Sequence, residues 1–427
     1  MSDPFEWSAQ SAPSRLDETI ARVADDSKDV RHVFTQCFFD DAVKQAACVA
    51  SSGDDSVLAG ALVSIKDLLD VKGHVTKAGT RFMANDPAAS EDADVVARLR
   101  KAGAVLLGHT NMTELAYSGL GLNPHYGTPM NALIDGAIPG GSTAGGAVSV
   151  ARGLADIAIG TDTGGSLRIP AAFNGIVGFK PSQKSVSRLG CKPLSRSLDS
   201  IGPMGRSVAA CAAAYRVMAD DGAETDREVI AEFVIPTNYG MDDLAPEVAA
   251  GFAACVNDLR TRGYQVSELA LDSLEALKSL PIWQFSSIES RSDYDAAYQT
   301  QRGIMDPRVA SPTRMGRADE VDAVSYRKTL NERDRLIALF AEELAGRVLL
   351  MPTVPILPPS FAQMEKDEDY SRLNLQVLRN PSIANVMDCC SISLPQSHDG
   401  KPFGLMLTAL DGSDLGLLAL AEAINGQ

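Results

Sequence analysis

Three residues carry the chemistry this chain could do: Lys66, Ser142 and Ser166. Both serines sit in glycine-flanked turns, Ser142 in "PGGSTAGG" and Ser166 in "TDTGGSL". A serine hydroxyl is a weak nucleophile unless a base lies within hydrogen-bond reach. The usual base is histidine, but none of His32, His74, His109, His125 and His398 lies in a suitable setting. Nor does "GGSLR" fit the G-x-S-x-G elbow, since the second glycine is missing. A lysine can serve if its ammonium is deprotonated. Bringing its pKa from about 10.4 to about 7 takes roughly 4–5 kcal/mol of differential destabilisation of the charged form. Lys66 ends the apolar run "VLAGALVSIK", where burial at a strand end could supply that; the plainer alternative is a surface pair with the adjacent Asp67.

The turn before Ser166 has a structural reading and a chemical one. Glycine permits close approach and unusual φ/ψ, so N–H groups from Thr163, Gly164, Gly165 and Ser166 could converge on a developing oxyanion. Asp162 and Arg168 flank the turn, and their types predict an ion pair or hydrogen bonds that fix the loop. A phosphate cradle is not supported, because "GGSTAGG" matches neither G-x-x-x-x-G-K-[ST] nor G-x-G-x-x-G.

The elements that must position these residues alternate. Residues 57–67 read as a buried strand, 92–103 as a helix and 104–108 as a core strand. Residues 155–160 and 175–181 read as strands, and 207–219 as a helix. "FVIP", a helix over 245–262 and "YQVSELAL" repeat the strand–helix–strand pattern. Residues 283–346 are mainly helical, and 347–355 return to a strand. This predicts an α/β fold: one large domain with a central mixed, twisted β-sheet covered by helices on both faces. Within it lie N-terminal helices (1–56), a core (57–208) and a variable half (209–427) expected to hold the substrate pocket and C-terminal strands and a helix.

Composition narrows the class. The chain has 427 residues, 45% hydrophobic and 22% charged, with a formal net charge of −16. That is the balance of a globular protein and argues against a general nucleic-acid binder. The seven cysteines are irregularly spaced and without C-x-x-C, which predicts free thiols in a reducing compartment. No basic-then-apolar leader opens the chain, and no apolar run approaches the length of a membrane span. The expectation is a cytoplasmic protein away from membranes.

"VSIKDLLDVKG", "GHTNMTELAYSGLG", "PGGSTAGGAVSVARG", "IGTDTGGSLRIPAAFNGIVGFKPS" and "SLDSIGPMGRSV" resemble, in order and spacing, the amidase signature family. The dense likeness covers residues 57–208, and weaker likeness extends over nearly the whole chain. The resemblance implies an amidase with a Ser–Ser–Lys triad. Ser166 would be the nucleophile, Ser142 a relay in a cis non-proline peptide, and Lys66 the base. Thr163, Gly164 and Gly165 would join the oxyanion hole, with Thr143, Asp162 and Arg168 supporting it. Thr143 stands where the family usually has a serine bonded to the lysine, so a Thr143–Lys66 hydrogen bond is expected. Ala116, Tyr117, Ser118 and Gly119 match the substrate-facing segment, with Tyr117 also readable as core; Trp283 and Phe285 are further candidates for the wall. No cofactor or metal is implied, the partner is a small-molecule amide, and a homodimer is possible. A glutaminase (A) subunit of a tRNA-dependent amidotransferase is the alternative, and a non-catalytic binding protein on the same scaffold a third.

Overall fold

The apolar run that ends at Lys66 is buried from Leu58 onward, and the run before Ser166, residues 155–160, is buried throughout. Strands with both faces covered by helices read as continuous hydrophobic stretches rather than alternating ones. The computed structural model describes residues 7–53, 55–220 and 227–425. Its strands are β1 (Phe34–Cys37), β2 (Leu62–Lys66), β3 (Val105–Thr110), β4 (Ile157–Asp162), β5 (Val177–Lys180), β6 (Ser200–Gly205), β7 (Glu232–Pro236), β8 (Gln265–Leu269), β9 (Val348–Pro352), β10 (Cys389–His398) and β11 (Lys401–Leu410). They form one 11-stranded sheet in the order β1-β3-β2-β4-β6-β5-β10-β11-β9-β7-β8. β2 runs parallel to both β3 and β4, so Lys66 and Asp162 leave the sheet at the same edge. β4, β6, β5, β10, β11 and β9 pair antiparallel in turn, and β7 runs parallel to β9 and β8. The mixed α/β sheet is thus as expected.

Two strands escaped the sequence reading altogether, and two more, β10 and β11, were expected only as C-terminal strands without bounds. β1 lies inside the stretch expected to be N-terminal helices, between the helices Ala12–Ala24 and Phe39–Ser52. It is a four-residue edge strand antiparallel to β3, too short to show a period. β6, "SIGPMG", holds two glycines and a proline, which read locally as a loop. Between β4 and β5 a side chain at Gly202 would not fit, because a Cβ there would lie 2.3 Å from the Phe179 carbonyl oxygen. The expected strand over 57–67 begins only at Leu62, after a turn in which Gly60 has φ +81°.

All seven cysteines are free thiols. Among the described residues, no helix is long and apolar enough to cross a membrane.

The helix Ala144–Ala151 follows Ser142 directly and is buried along nearly its whole length. It packs against the ends of β1 and β3 so tightly that a Cβ on Gly145 would lie 2.2 Å from the Val33 carbonyl oxygen and 2.6 Å from the Asn111 amide nitrogen. Alanine gains at most about 1 kcal/mol over glycine in a helix. Here two backbone groups would have to move, which costs more. Gly145→Ala is therefore expected to destabilise the protein by about 2 kcal/mol, seen as a lower urea midpoint; an unchanged or higher midpoint would contradict the packing.

Candidate active site

The ends of β2 and β4 bring the predicted residues together beneath the surface. Lys66 and Ser142 are fully buried, and Ser166 is nearly so. The Lys66 Nζ donates to Ser142 Oγ at 2.7 Å and to Thr161 Oγ1 at 2.9 Å. Burial lowers its pKa from the ordinary 10.5 to about 7, despite opposing contributions from Cys191, Asp199 and Asp162. The surface pairing with Asp67 does not occur. Asp67 points to the opposite side, accepting from Thr35 Oγ1 at 2.7 Å and facing His109 Nδ1 at 3.3 Å.

The expected Thr143–Lys66 hydrogen bond is absent as well. Thr143 Oγ1 turns to the Thr161 carbonyl, at 3.4 Å, and the hydroxyl that meets the amine belongs to Thr161. The methyl of Thr143 accounts for this. It fills the space beside Gly160 and Gly146, where a Cβ would lie 2.6 and 2.9 Å from Thr143 Cγ2. Thr161 lies on β4, one strand from Lys66, a proximity visible only once the strands are paired.

The peptide Gly141–Ser142 is cis, as the resemblance implied. The serine segments are tied through backbone, with Thr143 N–H donating to the Ser166 carbonyl at 3.3 Å. Among the described residues the Ser166 hydroxyl has no hydrogen-bond partner, and no histidine is bonded to either serine.

The turn after β4 is held by a buried carboxylate. Asp162 accepts from Gly165 N–H at 2.7 Å and Leu167 N–H at 3.1 Å, and from Arg168 Nη2 and Nε at 2.9 and 3.0 Å. Asn385 joins from the far half of the chain, its amide donating to Asp162 Oδ1 and accepting from Arg168 Nη2. Burial alone would raise the Asp162 pKa; the Arg168 charge and these hydrogen bonds outweigh it and hold the carboxyl well below its usual range. Gly165, at φ +127°, spends its N–H on this carboxylate. Among the described residues, the N–H groups of Thr163, Gly164 and Ser166 have no acceptor. The Thr163 hydroxyl donates to Asp199 Oδ1 at 2.5 Å, and Asp199 also accepts from Leu194 and Ser195 N–H. Burial pushes the Asp199 carboxyl up to about 6.

The segment expected to face substrate lies alongside. Leu115 and Ala116 both have positive φ, 49° and 61°, in the region that non-glycine residues rarely occupy. The Gly119 carbonyl accepts from Gly141 N–H at 2.8 Å, and Ser118 Oγ and Gly119 N–H both donate to Asn374 Oδ1. The Tyr117 side chain is core, its hydroxyl donating to the Ser286 carbonyl at 3.1 Å beside Ser290 Oγ. Phe285 is fully buried in a separate apolar cluster with Leu336 and Phe340, which removes it from the wall. Trp283 is half-buried under the Arg317 guanidinium. Asn385, Asn374 and Asp199 were not singled out in the sequence; only Asp199 lay within a quoted motif.

Among the described residues no group of three or more histidine, cysteine, aspartate or glutamate side chains could hold a metal ion. Removing one partner of a buried, hydrogen-bonded ion pair typically costs about 3–5 kcal/mol. Asp162→Asn is therefore expected to lower the unfolding free energy by about 3 kcal/mol or more, measured by urea denaturation. A loss within about 0.5 kcal/mol, the scale of a surface substitution, would contradict this network.

The pattern of the Amidase family matches residues 16–418. The chain is 34% identical over 391 residues to the 2-amino-5-chloromuconic acid deaminase of Comamonas testosteroni, covering 87% of this chain and 82% of that protein. It is 30% identical over 406 residues to the indoleacetamide hydrolase of Pseudomonas savastanoi, covering 90% and 87%. A crystal structure of an amidase superposes with a TM-score of 0.85 at 30% identity, covering 96% of this chain and 94% of that one. Family match, relatives and fold agree: the chain belongs to the amidase signature family of hydrolases acting on carbon–nitrogen bonds.

Proposed function

We propose that the protein hydrolyses a small carboxamide to a carboxylate and ammonia or an amine through an acyl-enzyme on Ser166, with Lys66 as base and Ser142 as relay. The 2.7 Å hydrogen bond from the buried Lys66 amine to Ser142 Oγ carries this reading. Neutral Lys66 takes a proton from Ser142, which takes one from Ser166 as that oxygen attacks the amide carbonyl. This transfer requires the Ser166 hydroxyl to turn toward Ser142, whose segment is tied to it by the Thr143 N–H to Ser166 carbonyl bond. The tetrahedral oxyanion is met by N–H groups of Thr163, Gly164 and Ser166, each contributing about 3–4 kcal/mol when aimed at the developing charge. Gly165, whose N–H is engaged by Asp162, acts as the pivot of the turn. The proton returns through Ser142 to the leaving nitrogen, since an amide anion is a very poor leaving group. The C–N bond breaks, and water deprotonated by the same relay releases the acid.

The pH dependence follows from the direction of the Lys66 shift. Below about 7 the amine is an ammonium and accepts nothing; above it, the base is available. Ammonia release by the purified chain alone from a panel of simple amides is expected to rise with pH through an apparent pKa near 7 in kcat/KM. Ser166→Ala should abolish release, and a fluorophosphonate should label Ser166. Release unaffected by Ser166→Ala would end the mechanism, and release only in the presence of partner subunits would favour the glutaminase-subunit reading.

Thr161 separates aim from bulk. Its hydroxyl accepts from Lys66 and favours the charged amine, so Thr161→Val should move the ascending limb to lower pH. It should also reduce the plateau kcat/KM by about tenfold, the scale of one hydrogen bond to a charged group. Thr143→Val, which removes a hydroxyl that does not touch Lys66, should leave the limb in place. Equal effects of the two substitutions would contradict the assignment.

A further inference from the structure

Beside the proposed site stands one arginine whose charge is left over. Arg314 is half-buried, and its Nη1 donates to the Tyr117 carbonyl at 2.7 Å. Its guanidinium lies 5.6 Å from the centre of the Tyr370 ring. Three arginines of the same surface have carboxylate partners: Arg291 with Asp295 and Asp319, Arg308 with Asp367, and Arg317 with Glu320. Among the described residues Arg314 has none. Asp306, the nearby buried acid, accepts from the Arg308 N–H instead. A guanidinium has five N–H donors in a planar fork suited to a carboxylate, and Arg314 commits one of them to Tyr117. Buried Arg333 and Lys180 also lack a carboxylate but are held by pairs of carbonyls, whereas Arg314 leaves the rest of its fork uncommitted among the described residues.

Its place in the fold relates it to the reacting centre. Tyr117 is two residues from Gly119, at most about 7 Å of chain, and the Gly119 carbonyl accepts from the residue before Ser142. A Cβ on Gly119 would lie 3.3 Å from Leu378 Cδ2, and one on Gly164 would lie 3.5 Å from the same atom. The Tyr117–Gly119 segment and the Ser166 turn therefore flank a single side chain, with Arg314 fastened to the outer end of that segment.

We propose that Arg314 binds a free carboxylate of the substrate, so that the enzyme acts on the monoamide of a dicarboxylic acid. This rests on the amidase reading above and specifies its substrate. The amide carbonyl sits at Ser166, the acyl chain runs along residues 116–119, and its far carboxylate meets the fork of Arg314. Arg314 is then a specificity residue and takes no part in bond breaking.

The test compares succinamate, glutaramate and adipamate with their methyl esters, which keep the length and lose the charge, by ammonia release. In the wild type, kcat/KM for at least one free acid is expected to exceed that of its ester by about 30-fold or more, the scale of a desolvated charge pair. Arg314→Met should erase that preference while changing the ester by less than about threefold, and Arg314→Lys should restore part of it. No preference in the wild type, or an equal loss on acid and ester in Arg314→Met, overturns the proposal and leaves the amidase reading standing. If no amide releases ammonia, the amidase reading fails, and binding decides the rest. Glutarate titrated calorimetrically into Ser166→Ala should bind, and binding should vanish in Ser166→Ala/Arg314→Met. Glutarate that does not bind, or binds both alike, overturns the role of Arg314.

Discussion

A primary amine enclosed by protein on every side, with hydroxyls rather than carboxylates as its hydrogen-bond partners, is the condition around which the structure is built. Lys66 meets Ser142 and Thr161 and forms no salt bridge among the described residues. Lowering its pKa from 10.5 to about 7 corresponds to roughly 4–5 kcal/mol of selective cost to the ammonium. Only a large, closely packed core can impose that cost without unfolding. Here the amine sits at the end of a central strand flanked on both sides, in a sheet of eleven strands.

The same edge of the sheet holds the opposite electrostatic case. Asp162, also fully buried, remains ionised because Arg168, Asn385 and two backbone N–H groups surround it. A lysine whose charged form burial disfavours and an aspartate kept charged thus lie on neighbouring strands. The carboxylate orders the turn that carries Ser166, and the lysine addresses the turn that carries Ser142. Asp199 performs a related task on Thr163, holding its hydroxyl so that the adjoining N–H groups stay oriented. These side chains hold the turn in place, the condition under which the proposed oxyanion donors would act without reorganising.

Much of this was legible in the order of residues. The apolar run ending at Lys66, the two glycine-flanked serines and the Asp–Arg flanks of the second turn led to the residues the fold brings together. What escaped is what pairing across long distances decides. Thr161 and Thr143 are both hydroxyl residues near the lysine, and only the parallel pairing of β2 with β4 selects the first. Asn385 is more than 200 residues from Asp162, in a short helix without a periodic signal. β6 reads as a loop because its glycines and proline suit a tight approach to Phe179 and Pro181. Phe285, aromatic and close in sequence to Trp283, reads as a wall residue, but a helix sends neighbouring residues to different faces, and this one turns inward.

The most direct measurement is the titration of the Lys66 amine itself. With lysine labelled at Cε by carbon-13, its resonance is identified as the one absent from Lys66→Met and followed by NMR as pH is raised. A midpoint near 7, well separated from the other lysines of the surface, is the outcome this account predicts. A midpoint near 10, with Lys66 titrating alongside those surface lysines, would mean that the amine is charged at neutral pH and cannot begin the proton relay.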